Sequence, residues 1–221
     1  MTYQRGPSFK DSQKQILYGT ILGGSSIIRP AKGKNCYLAM RDSNDVWLRY
    51  KIEFLKDFFK LDENILKKDK NTYRCYSISY PVFNDLYDMF YDHSCKKIQP
   101  DVLESLTDEA WMVWFVDAGK KSKKKVYLRT HKFGKEGTEL IANYFNSLDC
   151  ECEPKITRNR YEIVFTPKGA YEFMKYVAPK LPDFLLENYK LPLPGIPKGN
   201  HLCNGNLTLP DAPGSIHGLL F

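Results

Sequence analysis

Four short stretches of the chain concentrate cationic side chains: Lys32 and Lys34; Lys67, Lys68 and Lys70; Lys120 to Lys125; and Arg158 with Arg160. Each contains or adjoins a Gly, Asn or Asp, the residue types at which a chain turns. Amines and guanidinium groups gathered on turns suit a ligand with repeated negative charge, because each phosphate they neutralise releases a counterion. The net charge is modest, +7 from 33 basic and 26 acidic residues, so the clustering matters more than the total. Lysines that merely blunt sheet edges would account for some of these positions. They would not make four separate turns basic.

The segments flanking those turns alternate like strands. In CYLAMRDS, Cys36, Leu38 and Met40 point one way while Tyr37, Ala39 and Arg41 point the other. In KVYLRTHK, Val126, Leu128 and Thr130 oppose Tyr127, Arg129 and His131, whereas RYEIVFT alternates less cleanly. A sheet with one apolar face on helices and one Arg/Tyr/Lys face outward suits the major groove of duplex DNA. An antiparallel ribbon fits that groove, and Arg and Asn there read base edges. The candidate contacts are Arg29, Lys32, Lys34, Asn35, Tyr37, Arg41, Lys68, Lys70, Arg74 and Tyr76 in the first half. In the second half they are Lys120, Lys123, Lys125, Tyr127, Arg129, His131, Lys155, Arg158 and Arg160.

Helices must carry these strands. QKQILYGTILG has helical apolar spacing, and Gly19 and Gly23, four apart, share a face. Glycine costs a helix interior about 1 kcal/mol relative to alanine, so two on one face imply close approach of another backbone. NDVWLRYKIEFLKDFFKL reads as one amphipathic helix on Val46, Leu48, Ile52, Phe54, Leu55, Phe58 and Phe59. NTYRCYSISY alternates as a strand, and PVFNDLYDMFYD is a further helix. The second half repeats this order. LTDEAWMVWFVDAG is its first helix, with Thr107 placed as its cap; the strand KKKVYLRTHKF and the helix GKEGTELIANYFNSLD follow. EPKITRNRYEIVFT then holds two strands, and KGAYEFMKYVAPKL closes the repeat as a helix. The expected architecture is an α+β pseudo-dimer: residues 1–100 and 101–190 as two repeats, then a Pro/Gly-rich tail at 191–221.

Apolar residues form 43% of the 221-residue chain and aromatics 14%, enough for a real core. No apolar run approaches the roughly 18 residues of a membrane helix, and MTYQRGPSFKDSQ has no signal-peptide stretch. Six cysteines form no CxxC pair, and the spacings His93-Ser94-Cys95 and His201-Leu202-Cys203 match no zinc loop. They read as free thiols of a soluble intracellular protein.

LYGTILGGSSI and LTDEAWMVWFVDAGKK resemble the two motif helices of single-chain LAGLIDADG homing endonucleases. CKKIQPDVLESLT between the halves, VYLRTHKF, and VAPKLPDFLLENYKL extend the likeness over about residues 13–191. The resemblance implies two antiparallel DNA-binding sheets packed on helices, with the motif helices paired on a pseudo-twofold axis. It implies site-specific cleavage of double-stranded DNA at a long asymmetric site by a monomer, serving the mobility of a host intron or intein. The compartment would be the cytoplasm of a microbe or phage-infected cell, or an organelle matrix. In the family one acid at the end of each motif helix binds Mg²⁺ or Mn²⁺, which activates water for phosphodiester hydrolysis. Those positions fall on Gly24 and Ala118, 94 residues apart, and neither can ligate a metal through its side chain. Asp117 stands one residue back, turned by about 100° on a helix, where it could hold the helix end by hydrogen bonds. Charge-neutralising lysines would fall at Lys97, or its neighbour Lys96, and at Lys190. The expectation is therefore an endonuclease scaffold that binds and does not cut, its acids lost naturally or by design. The alternative is a non-catalytic binder on the same scaffold, either a group I intron RNA maturase or a DNA-bound regulator.

Overall fold

The computed structural model describes residues 7–122, 125–157 and 160–186. The first half runs α1 (Asp11–Gly23), β1 (Ser26–Ile28), β2 (Tyr37–Asp42), α2 (Asp45–Phe54), β3 (Lys67–Asp69), β4 (Thr72–Tyr76) and α3 (Val82–Phe90). A small hairpin, β5 (Tyr91–Asp92) and β6 (Cys95–Lys96), and α4 (Pro100–Glu104) lead to the second half. There the order recurs: α5 (Asp108–Ala118), β7 (Gly119–Ser122), β8 (Lys125–Arg129), α6 (Gly134–Ser147), β9 (Cys152–Thr157), β10 (Arg160–Phe165) and α7 (Pro167–Val177), followed by α8 (Asp183–Leu186). Each half builds one antiparallel four-stranded sheet, ordered β1-β2-β4-β3 and β7-β8-β10-β9. The repeat is thus one of topology as well as of element order.

The two halves pack as one compact unit around α1 and α5. A Cβ on Gly19 would lie 2.7 Å from the Val113 Cβ and closer still to the Ala110 carbonyl. One on Gly23 would lie 2.9 Å from Asp117 Oδ2. The shared glycine face is therefore the contact with the second helix. Gln15 fastens the pair at its other end, donating to the Ser105 carbonyl (2.9 Å) and accepting from the Thr107 N–H (2.9 Å). Thr107 does stand at the N-cap of α5, but its hydroxyl donates to Glu109 (2.7 Å) and accepts no N–H of the helix.

The second half is filled by Trp114, Phe115, Phe145, Phe165 and Phe173, all fully buried. The Phe165 and Phe173 rings stack at 4.7 Å. In the first half the 45–59 segment departs from a single helix: α2 ends at Phe54 and Lys56–Phe58 forms a 3₁₀ turn. Its buried face is Trp47, Leu48, Lys51 and Ile52, while Val46 and Phe54 are exposed, because the helix turns its tryptophan and a lysine inward to meet α5. Two strands were not legible as such: β3, which is Lys-Lys-Asp, and β7, which is Gly-Lys-Lys-Ser.

Candidate nucleic-acid interface and central cleft

Register assigns every outward side chain to a face. In the first sheet Arg41 pairs with Arg74 and Ala39 with Tyr76, and Lys67 pairs with Arg74. Tyr37, Arg41, Arg74, Tyr76 and Lys67 therefore share one face. Lys68 pairs with Tyr73 and falls on the other face, so Lys67 is the lysine this strand adds to the polar surface. In the second sheet Lys120 pairs with Tyr127, Arg129 with Glu162, and Glu162 with Lys155. Lys120, Lys125, Tyr127, Arg129, Lys155 and Arg160 thus share a face, joined by the acid Glu162.

The remaining candidates divide. Lys32 and Lys34 are exposed in the β1–β2 loop, Lys70 is exposed at a turn with φ 53°, and Asn35 is half-buried against Asn84. Arg29 is turned to α3, bonded to Asp88 at 2.7 Å with its guanidinium 4.0 Å above the Tyr87 ring. That arginine is engaged with its own fold. Lys123, Arg158 and Lys190 lie outside the described residues.

Between the sheets a cleft of about 320 Å³ opens where α1 and α5 end, lined among others by Gly24, Asp42, Ala118, Arg41, Arg129 and Lys132. The two arginines are counterparts. Ser26 pairs with Ala39, so the residue after Gly24 stands opposite Met40, and Arg41 is the next one out. In the second repeat Gly119, the residue after Ala118, pairs with Leu128, and Arg129 is the next one out.

The last carbonyls of a helix have no partner within it and carry the negative end of its dipole. Here they are met by cations. Lys96 donates to the Ile21 and Ser25 carbonyls, the latter at 2.6 Å. Lys132 donates to the Gly24 carbonyl at 2.5 Å. Arg129 donates to the carbonyls of Ala118 (3.2 Å) and Asp117 (3.1 Å). Of the two neighbouring lysines expected near this site, Lys96 is the one whose amine is bonded there. Lys132 was not singled out in the sequence; its only signal was its place just beyond the strand that ends in Arg129.

Asp117 is fully engaged elsewhere. Its carboxylate accepts from Trp47 Nε1 (2.5 Å) and from Lys51 Nζ (2.9 Å to each oxygen), with the Lys51 and Asp117 side chains 1% and 6% exposed. Burial pushes the Asp117 carboxyl up, while Lys51 and Trp47 pull it down. The helix-end hydrogen bonding expected of Asp117 is thus a buried bond from the second repeat to α2 of the first. The other carboxylate at the cleft, Asp42, accepts the Asn44 N–H at 2.8 Å.

The cations in and behind the cleft repel one another's protons. Burial, then Lys132, pushes Lys96 down to about 7. Lys132 is lowered by burial and by Arg129. His131 is lowered by burial and then by Lys132, Arg129, Lys96 and Arg160. Gly24 has φ 153°, a region that favours glycine, although a Cβ there would meet only the Lys132 amine, at an ordinary contact distance of 3.8 Å. Magnesium takes oxygen donors, carboxylates above all. Gly24 and Ala118 supply none, ammonium and guanidinium groups occupy the helix-end carbonyls, and no group of three His, Cys, Asp or Glu among the described residues fits a metal. The residues present do not fit the ion that the family resemblance implies.

The LAGLIDADG DNA endonuclease family matches residues 14–191, and the chain belongs to it. Among solved structures, the homing endonuclease I-WcaI bound to its DNA recognition sequence is similar at 22% identity and a TM-score of 0.73, over 82% of this chain and 87% of that one. I-DmoI in complex with DNA and Mn is similar at 12% identity and a TM-score of 0.53, over 76% and 96%. Full-length DUF199/WhiA from Thermatoga maritima is similar at 14% identity and a TM-score of 0.51, over 82% and 60%. Among curated proteins, none matches the chain. No helix among the described residues is long and apolar enough to cross a membrane.

Proposed function

We propose that this chain binds double-stranded DNA as a monomer, at a long asymmetric site, and holds it without cutting. One observation carries the reading. Two sheets of identical strand order present different polar faces on either side of a cleft whose acid positions are Gly24 and Ala118. Unlike faces suit unlike half-sites, and arginines and tyrosines supply phosphate and base contacts. Hydrolysis in the family runs through metal-bound acids, and here those donors are missing. A similar endonuclease fold bound to its DNA recognition sequence supports the duplex partner.

Selection from a random duplex library tests binding, with affinity expected to fall steeply as salt rises. On the selected site, Gly24→Asp combined with Ala118→Asp is expected to bring back Mg²⁺-dependent cleavage from an undetectable level. Tight binding by that double variant with the site left intact would refute the lapsed-endonuclease account and favour a binder of regulatory type. Structured intron RNA outcompeting the duplex at physiological salt would favour a maturase.

A further inference from the structure

In the cleft, cations stand where the family's acids and metal would be, and their hydrogen-bond partners are neutral. Lys132 bonds only the Gly24 carbonyl among the contacts described for it, and Arg129 the carbonyls of Ala118 and Asp117. A carbonyl orients a cation without cancelling its charge. Of the carboxylates at the cleft, Asp117 is consumed by Lys51, and Asp42 lies beside Arg41. With Lys51 offset by Asp117, the balance of Arg41, Arg129 and Lys132 against Asp42 is positive even though Lys96, pushed down to about 7, is only partly protonated at neutral pH. His131, beside them, is held below its usual range by burial first and then by Lys132, Arg129 and Lys96, as such a positive cleft requires.

We propose that this cleft is a metal-free phosphate seat, in which Lys132 and Arg129, with Arg41 as the pseudo-symmetric counterpart, hold backbone phosphate of duplex DNA directly. The inference rests on the duplex-DNA reading above and deepens it. Where a nuclease brings a divalent ion to bridge two acids and a phosphate, this chain brings the charge on its own side chains. The helix-end carbonyls fix those side chains before the ligand arrives, so little side-chain freedom is lost on binding. The two halves contribute unequally. Arg41 is also drawn to Asp69 at 3.5 Å and donates to Thr72 at 2.8 Å, so Arg129 and Lys132 of the second repeat carry most of the seat. A divalent cation would then compete with the protein for the phosphate, the reverse of its role in a cutting enzyme.

The test uses the full chain and a duplex selected in the presence of EDTA or of millimolar Mg²⁺, with affinity read by fluorescence anisotropy across a salt series. In EDTA the affinity is expected to equal or exceed that in Mg²⁺. Lys132→Gln is expected to weaken binding about tenfold and to reduce the salt slope by about one, while Lys132→Arg retains both. Lys132 lines the cleft, partly desolvated at its amine, and is not part of the core, so its removal leaves the core intact, and thermal melting of each variant checks this. Duplex capture only in Mg²⁺, or an unchanged affinity and slope in Lys132→Gln, would overturn the seat while leaving the DNA reading standing. Failure to capture any duplex under either condition would overturn the DNA reading and the seat with it.

Discussion

α1 and α5 end side by side and are closed off in opposite ways. The end of α1 carries no acid; its carbonyls receive two ammonium groups, Lys96 from the first repeat and Lys132 from the second. The end of α5 keeps an acid, but Asp117 is turned away, neutralised by Lys51 and hydrogen-bonded by Trp47, leaving Arg129 to close the carbonyls. The sheets differ in the same sense. Arg41 and Arg74 of the first both reach Asp69, whereas Arg129 of the second meets only carbonyls among the contacts described for it. A fold with near-identical halves can therefore place its structural charge and its ligand-facing charge in different repeats.

The strongest way to break this contrast is at the buried bond. Lys51→Met leaves Asp117 charged, buried and without its amine, and is expected to cost about 3–5 kcal/mol of stability by urea unfolding. At the other helix end, Gly24→Ala meets no clash, only the Lys132 amine at 3.8 Å, but an unfavourable φ, and is expected to cost about 1–3 kcal/mol in the same assay. Protonation marks out Lys96 of the two lysines that meet the end of α1. Lys96 titrates near 7 in the folded chain and near 10.5 when unfolded, so between those values the unfolded state holds the extra proton. Stability therefore rises as pH climbs from about 7 to 8.5, by about 1–2 kcal/mol, and Lys96→Met should flatten that rise in urea midpoints measured across the range. The smallest effect sharpens the sheet comparison. Asp69→Asn releases Arg41 and Arg74, and duplex affinity is expected to tighten about two- to fivefold at low salt, with no change in Lys132 dependence.

Much of this was legible because its signal is local. Alternation in CYLAMRDS and KVYLRTHK fixed which side chains face out, and Leu38, Met40, Val126 and Leu128 are indeed buried. Gly19 and Gly23 announced a close helix partner because only close approach repays two glycines in one helix. What stayed hidden depends on partners far along the chain. β7 has no apolar alternation of its own and is a strand because β8 pairs with it. Lys51 looks like a solvated lysine in an amphipathic helix until Asp117, 66 residues away, is placed against it. Lys68 and Lys67 are indistinguishable in sequence, and only the register with β4 tells which one faces the polar side.

The Lys51–Asp117 bond also bears on how the halves would recombine if they were made as separate polypeptides. In the pseudo-symmetry, Asp117 corresponds to Gly23, on which it packs. Two copies of the first half would bring Lys51 inward with no acid to receive it. Two copies of the second would set Asp117 against Asp117. Each mismatched pair buries uncompensated like charge, so only unlike halves satisfy one another. The bond acts as an address label, and it makes an asymmetric partner of a protein whose topology alone would permit a symmetric one.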